Sequence, residues 1–116
     1  MLADERAAAV DLAHLNRYTG GDLTLNTEIL RLFQRQAIDL VAQLQHCLET
    51  ADANGWFEAA HSIKGAARGI GAFALADAVA DAEKIQPQDR AKAQAALATM
   101  KSRAGLVHMF IDSYLR

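Results

Sequence analysis

One proline and one cysteine interrupt the 116 residues, and aromatic residues make up only 6% of them. A lone Cys47 closes no internal disulfide and builds no cysteine-based metal site. So little proline and so few aromatics do not suit a β-sandwich. No apolar run approaches the roughly 20 residues of a membrane-spanning helix. The opening Met1-Leu2-Ala3-Asp4-Glu5-Arg6 lacks a basic region followed by an apolar one. No signal peptide is visible there, so a cytoplasmic, membrane-free chain is expected. Blocks of lysine or arginine are missing as well, and the formal net charge is −2. That balance argues against nucleic acid as the main partner.

What remains is 52% apolar and rich in alanine, the makeup of closely packed helices, in a length that suits one domain over residues 1–116. A first short helix is expected from Ala3 to about Asn16, with Asp4 and Glu5 near its start, where acidic groups favour the helix dipole. Tyr18-Thr19-Gly20-Gly21-Asp22 is a strong turn signal. A second helix is expected from about Leu25 or Asn26 to Ala51, capped by Asn26, Thr24 or Asp22. Leu30, Phe33, Ala37, Leu40, Leu44 and Cys47 or Leu48 recur along it at spacings of three and four, giving one apolar seam.

The third helix opens near Asn54 or Gly55 with a seam of Trp56, Ala59, Ile63, Ala66 and Ile70, and Gly69 and Gly71 close it. A fourth, from Ala72 to about Ile85, buries Leu75, Ala76, Val79 and Ala82. Pro87 is placed at or near the start of the last helix, which runs from about Gln88. There Ala93, Leu97, Met100, Ala104, Val107, Ile111 and Tyr114 alternate in steps of four and three. Gly105 weakens that helix for no visible reason. The expected architecture is all-α: an up-down-up-down antiparallel four-helix bundle capped by a short N-terminal helix.

The third helix carries the chemistry. A period of 3.6 residues places His61, Lys64, Gly65 and Arg68 on one stripe. Glycine inside a helix costs roughly 0.5–1 kcal/mol relative to alanine, so Gly65 calls for a reason beyond stability; a gap there lets another backbone approach. Phe57 falls on the same side, one turn before His61. It either packs under the first helix or forms an apolar rim for docking, and Gln36, on a polar side of the second helix, joins it as a candidate docking residue.

A self-contained active site is not expected. Ser62 points about 100° away from His61 around the helix, so no nucleophilic triad forms. Metal hydrolysis needs two or three convergent ligands, such as a Glu-x-x-His pair on facing helices, and no helix is expected to carry that pair or His-x-x-x-His. His61 itself, however, is a nucleophile when neutral. Lys64 and Arg68 disfavour the imidazolium and attract an anionic phosphoryl group. Those parts suffice to accept a phosphoryl group from a second protein; the bland alternative is a histidine on a basic, solvated face.

His61-Ser62-Ile63-Lys64-Gly65, with Gly71-Ala72 following, resembles the histidine-containing phosphotransfer (HPt) domains of two-component phosphorelays. Thr19-Gly20-Gly21-Asp22 before a helix bearing Phe33, the Ala59-Ala60 pair, and Leu75 and Glu83 add to a likeness over about residues 10–85. The resemblance implies a phosphoryl carrier without kinase activity. His61 would be phosphorylated from the aspartate of a response-regulator receiver, in a relay fed by a hybrid sensor histidine kinase, and would pass the group to another receiver. Lys64 matches the lysine that steadies phosphoryl oxygens and Gly65 the glycine that permits docking; Arg68 lies at a variable position, so its role rests on its place in the stripe. No cofactor is implied, magnesium belonging to the receiver. The motif also resembles the phosphoacceptor (P1-type) domain of chemotaxis-type kinases. A start at methionine and an end after the fifth helix favour a free-standing carrier, expected to be monomeric. An adaptor that binds receivers without being phosphorylated is a third reading, against which the intact histidine speaks.

Overall fold

The computed structural model describes residues 9–116, and every regular element among them is a helix. Five helices follow one another: α1 (Leu12–Thr19), α2 (Leu23–Thr50), α3 (Ala53–Ile70), α4 (Phe73–Glu83) and α5 (Arg90–Tyr114). Among the described residues, none is long and apolar enough to cross a membrane.

Aspartates start three of them. The side chains of Asp11, Asp22 and Asp52 accept from the backbone N–H of His14, Leu25 and Gly55, each occupying a donor that the first helical turn leaves unpaired. Asp22 therefore caps α2. Asn26, the first alternative, is buried one turn inside the helix, where its Nδ2 donates to Asn16 Oδ1 at 2.9 Å and Tyr114 Oη at 3.3 Å. The expected stretch Ala3–Asn16 divides: Asp4 and Glu5 lie outside the described residues, and α1 starts after Asp11 and runs on to Thr19. Its end is set by Gly20, whose φ of 66° is left-handed.

The predicted seams fill the core. In α2, Leu30, Phe33, Ala37, Leu44, Cys47 and Leu48 are buried, with Leu40 at the margin. Burial, and secondarily the charge of Asp52, push the Cys47 thiol up, as befits a small core residue. In α5 the steps of four and three are buried from Ala93 to Ile111, with Tyr114 half-buried. The α3 seam differs in its alanines: Ala60 and Ala67 are fully buried and Ala66 only partly.

Helix ends account for the other differences. Gly69 lies inside α3, and Gly71 alone closes it, at φ 84°. A Cβ on Gly71 would also come within 2.6 Å of the Asp11 carbonyl oxygen, and Asp11 N donates to Gly71 O at 2.9 Å, so this glycine seats α1 on the end of α3. The helix α4 stops at Glu83, short of Ile85. Pro87 is buried in the following turn, ahead of the Asp89 cap rather than at the first position of α5.

Helix α3 packs between α2 and α4, α5 packs between α4 and α2, and α1 touches α2 and α3. The described helices thus form a bundle in which α3 and α5 have no close backbone approach and meet only through the shared core.

Candidate functional site

The third helix presents its stripe as expected. His61 is exposed, its side chain 65% accessible, and Gly65 and Arg68 are exposed beside it. The Phe57 ring is stacked on the imidazole, centroids 5.8 Å apart and 15° from parallel. It is half exposed and lies outside the core, so it is not packed away under the described part of the first helix.

The stripe has two unlike flanks. On the α4 side, Lys64 Nζ stands 2.6 Å from Glu83 Oε1. The same oxygen is 3.9 Å from His61 Nδ1, outside hydrogen-bond range but facing the ring. Glu83 is only 11% exposed, and its Oε1 receives no well-aligned hydrogen bond. Its position is fixed from below: Trp56 Nε1 donates to Ala82 O at 2.9 Å, using one of the carbonyls left free at the end of α4. A buried tryptophan in the first turn of α3 thereby holds the last turn of α4 against the helix bearing the histidine.

That pairing corrects one expectation. Lys64 and Arg68 were to act as two bare cations beside the imidazole. Instead the Lys64 charge is offset by Glu83, and of the two cations it is Arg68 that has no ion-pair partner among the described residues. The carboxylate that completes the group was part of the motif likeness but had no role assigned to it.

On the α2 side there is little side chain. Gly65 and Gly69, one turn apart, both have open space where a Cβ would be. Beyond them lies a groove of about 250 Å³ with Gly69, Ala66 and Ile70 of α3 on one bank, Leu32, Phe33 and Gln36 of α2 on the other, and Tyr18 of α1 at its end. Gln36 is thus placed on the rim of an apolar groove beside the histidine stripe. Leu32 and Tyr18, both exposed, belong to this surface and were not singled out from the sequence; on paper they fall on a polar flank and in a turn.

Contrary to expectation, α3 does carry a Glu-x-x-His pair, Glu58-Ala59-Ala60-His61, with the i, i+3 carboxylate–imidazole spacing found in metal-binding bundles. Among the described residues, no group of three or more potential ligands could hold a metal ion. His14 is engaged otherwise, edge-on to Tyr18 and Phe73.

The histidine on an accessible helix face, between an ion pair and a bare trench, is what the comparison with known families meets. The family model for the Hpt domain matches residues 28–112, which take in α3, α4 and most of α2 and α5. This chain is an Hpt domain. No curated protein and no solved structure matches it. Hpt domains are phosphocarriers rather than kinases, and membership implies histidine phosphotransfer in two-component phosphorelays, with response-regulator receivers as the interacting class.

Proposed function

We propose that His61 is the phosphoryl-accepting residue and that the chain shuttles phosphate between receiver domains, taking it from a receiver aspartate, such as that of a hybrid sensor kinase, and giving it to another. The observation that carries this reading is the exposed imidazole with Glu83 facing its Nδ1 edge. A proton held on Nδ1 towards that carboxylate leaves the Nε2 lone pair free and pointing away. In transfer, Nε2 attacks the phosphorus of the aspartyl phosphate. The N–P bond forms as the O–P bond breaks, and the aspartate leaves as carboxylate. The ring then carries a positive charge, which Glu83 offsets across Nδ1–H. The reverse sequence hands the group on.

Lys64 turns from Glu83 towards the phosphoryl oxygens, and Arg68 supplies the cation that draws in the donor. Gly65 and Gly69 let the receiver's loops come close, while Phe57, Gln36 and the apolar groove form the contact surface around them. Magnesium stays with the receiver's acidic pocket, and this chain needs no metal or cofactor of its own. The packing of neighbouring helices supports an up-down-up-down order, in which the site draws on α1 to α4 of a single copy, so one copy is sufficient for transfer.

Incubation with a radiolabelled phosphoreceiver tests the reading. Acid-labile, base-stable label is expected on the wild-type chain and none on His61→Gln. Label on the variant, or none on the wild type from a broad panel of receivers, refutes it. Labelling only by ATP with a chemotaxis-type catalytic domain would replace it with the phosphoacceptor-domain reading.

A further inference from the structure

Phe57 is a phenyl ring with no place in the core. It belongs neither to the buried cluster nor to the partly buried residues packed against it. Its neighbour in sequence, Trp56, takes the inward position of that turn, fully buried and hydrogen-bonded to the end of α4. Stabilisation by burial grows with the apolar area removed from water, and Phe57 leaves half of its surface there. What it does meet is the imidazole one turn further on. Residues at i and i+4 of a helix stand side by side, and here the two rings lie nearly parallel. His14, by contrast, meets its aromatic neighbours Tyr18 and Phe73 edge-on.

The stacked contact completes a frame around His61. A phenyl face against the imidazole face sets the plane in which the imidazole lies. It does not choose between the two orientations related by a half-turn about the Cβ–Cγ bond, since both keep that plane. Glu83 makes the choice, because only one of them turns Nδ1 towards its Oε1, 3.9 Å away. With plane and edge both set, the direction of the Nε2 lone pair is set as well.

We propose that Phe57 is a positioning residue for the His61 imidazole, in addition to the surface it offers a receiver. The proposal rests on the reading of His61 as phosphoryl acceptor and adds two effects to it. The first is orientation. A ring free to turn spends only part of its time with Nε2 aimed at phosphorus, and holding it there removes that loss before the reaction. The second is charge. As Nε2 takes the phosphoryl group the ring becomes positive, and the negative face of a phenyl ring stabilises a cation laid against it. Both effects need a flat ring with a negative face, which leucine does not have.

A phosphoryl donor too small to dock separates positioning from docking. With phosphoramidate, the bond from Nε2 to phosphorus forms as the donor's own P–N bond breaks, and ammonia leaves with the bonding pair. The reaction of the full chain is followed by NMR at each histidine ring. His46, exposed and without an aromatic neighbour among the described residues, is the internal reference. Phe57→Leu should slow phosphorylation of His61 by roughly two- to fivefold, the span of an exposed cation–π contact. The rate at His46 and the circular dichroism should stay unchanged. Phe57→Tyr, which keeps the ring, should recover the His61 rate. A Phe57→Leu chain whose His61 reacts with phosphoramidate as fast as the wild type's overturns the proposal, whatever its rate with a phosphoreceiver. So does a Phe57→Tyr chain as slow as Phe57→Leu. The phosphoreceiver experiment on His61→Gln decides separately whether His61 is the acceptor, so the two failures are told apart.

Discussion

Gly65 in α3 and Gly105 in α5 look alike to any local measure. Each interrupts a long helix, each carries the same propensity cost, and at each a Cβ would meet nothing within 4 Å. Their neighbourhoods differ. Gly65 lies one turn beyond an exposed imidazole, between a half-buried ion pair and an apolar groove. Gly105 lies near two exposed apolar side chains, Ile38 and Met109, and its nearest imidazole, His108, is partly buried. An open glycine in a helix therefore leaves room at the surface, while the groups around it decide whether that room has a use. The sharpest experiments set the two faces against each other.

The largest effect belongs to His61→Gln, which should abolish phosphate acceptance. Because the ring is exposed, stability should change by no more than about 0.5 kcal/mol; phosphotransfer and a denaturant melt measured side by side check both statements. Next comes the pair of glycines. Gly65→Gln should slow transfer by at least about tenfold, the size of effect that misplacing reacting groups produces, while making the fold more stable by roughly 0.5–1 kcal/mol as the helix loses its glycine. Gly105→Gln should give a comparable gain in stability in dilute solution and leave the transfer rate alone. If both variants slow transfer alike, the distinction between the two faces falls.

Lys64→Ala should have a smaller effect on transfer, slowing it or shortening the life of the phosphohistidine without removing it. It should also leave the Glu83 carboxylate almost buried without its cation, costing about 1–3 kcal/mol. Removing the carboxylate as well, in Lys64→Ala/Glu83→Gln, should return much of that stability but none of the rate. A double variant that recovers the rate would show that the lysine serves the fold alone.

The sequence already held much of this. Apolar seams in steps of three and four anticipated the buried faces of α2 to α5, because a long amphipathic helix repeats its signal many times. The stripe of His61, Lys64, Gly65 and Arg68 followed from the same periodicity. What escaped was set by contacts between elements. Glu83 reaches Lys64 across a helix interface, held there by the Trp56–Ala82 hydrogen bond, and no spacing rule within one helix predicts that. Ala51 closes α2 at φ 54°, in a region where glycine is the usual occupant. The true glycine of that turn, Gly55, instead makes room for Cys47, since a Cβ there would come within 2.7 Å of its Sγ. Helix ends were displaced for this reason at α1, α3 and α4: a cap is decided by one or two residues, a seam by many.

The smallest expected effect concerns His108, on the α5 face, and it contrasts with exposed His61. Burial lowers the His108 pKa below its ordinary value, and the charge of Asp112 opposes the shift in part. A histidine whose folded pKa is depressed binds fewer protons than it does in the unfolded chain at pH values between the two. In that window stability rises with pH. The contribution is complete above the ordinary histidine value of about 6.5 and declines as the pH falls below it. His108→Gln should therefore flatten the stability profile on the acid side of neutrality. Urea melts at pH 7.5 and pH 5.5 on the wild type and the variant check it. A variant whose stability falls as steeply as the wild type's between the two pH values would show that the half-buried imidazole does not set the acid-side slope.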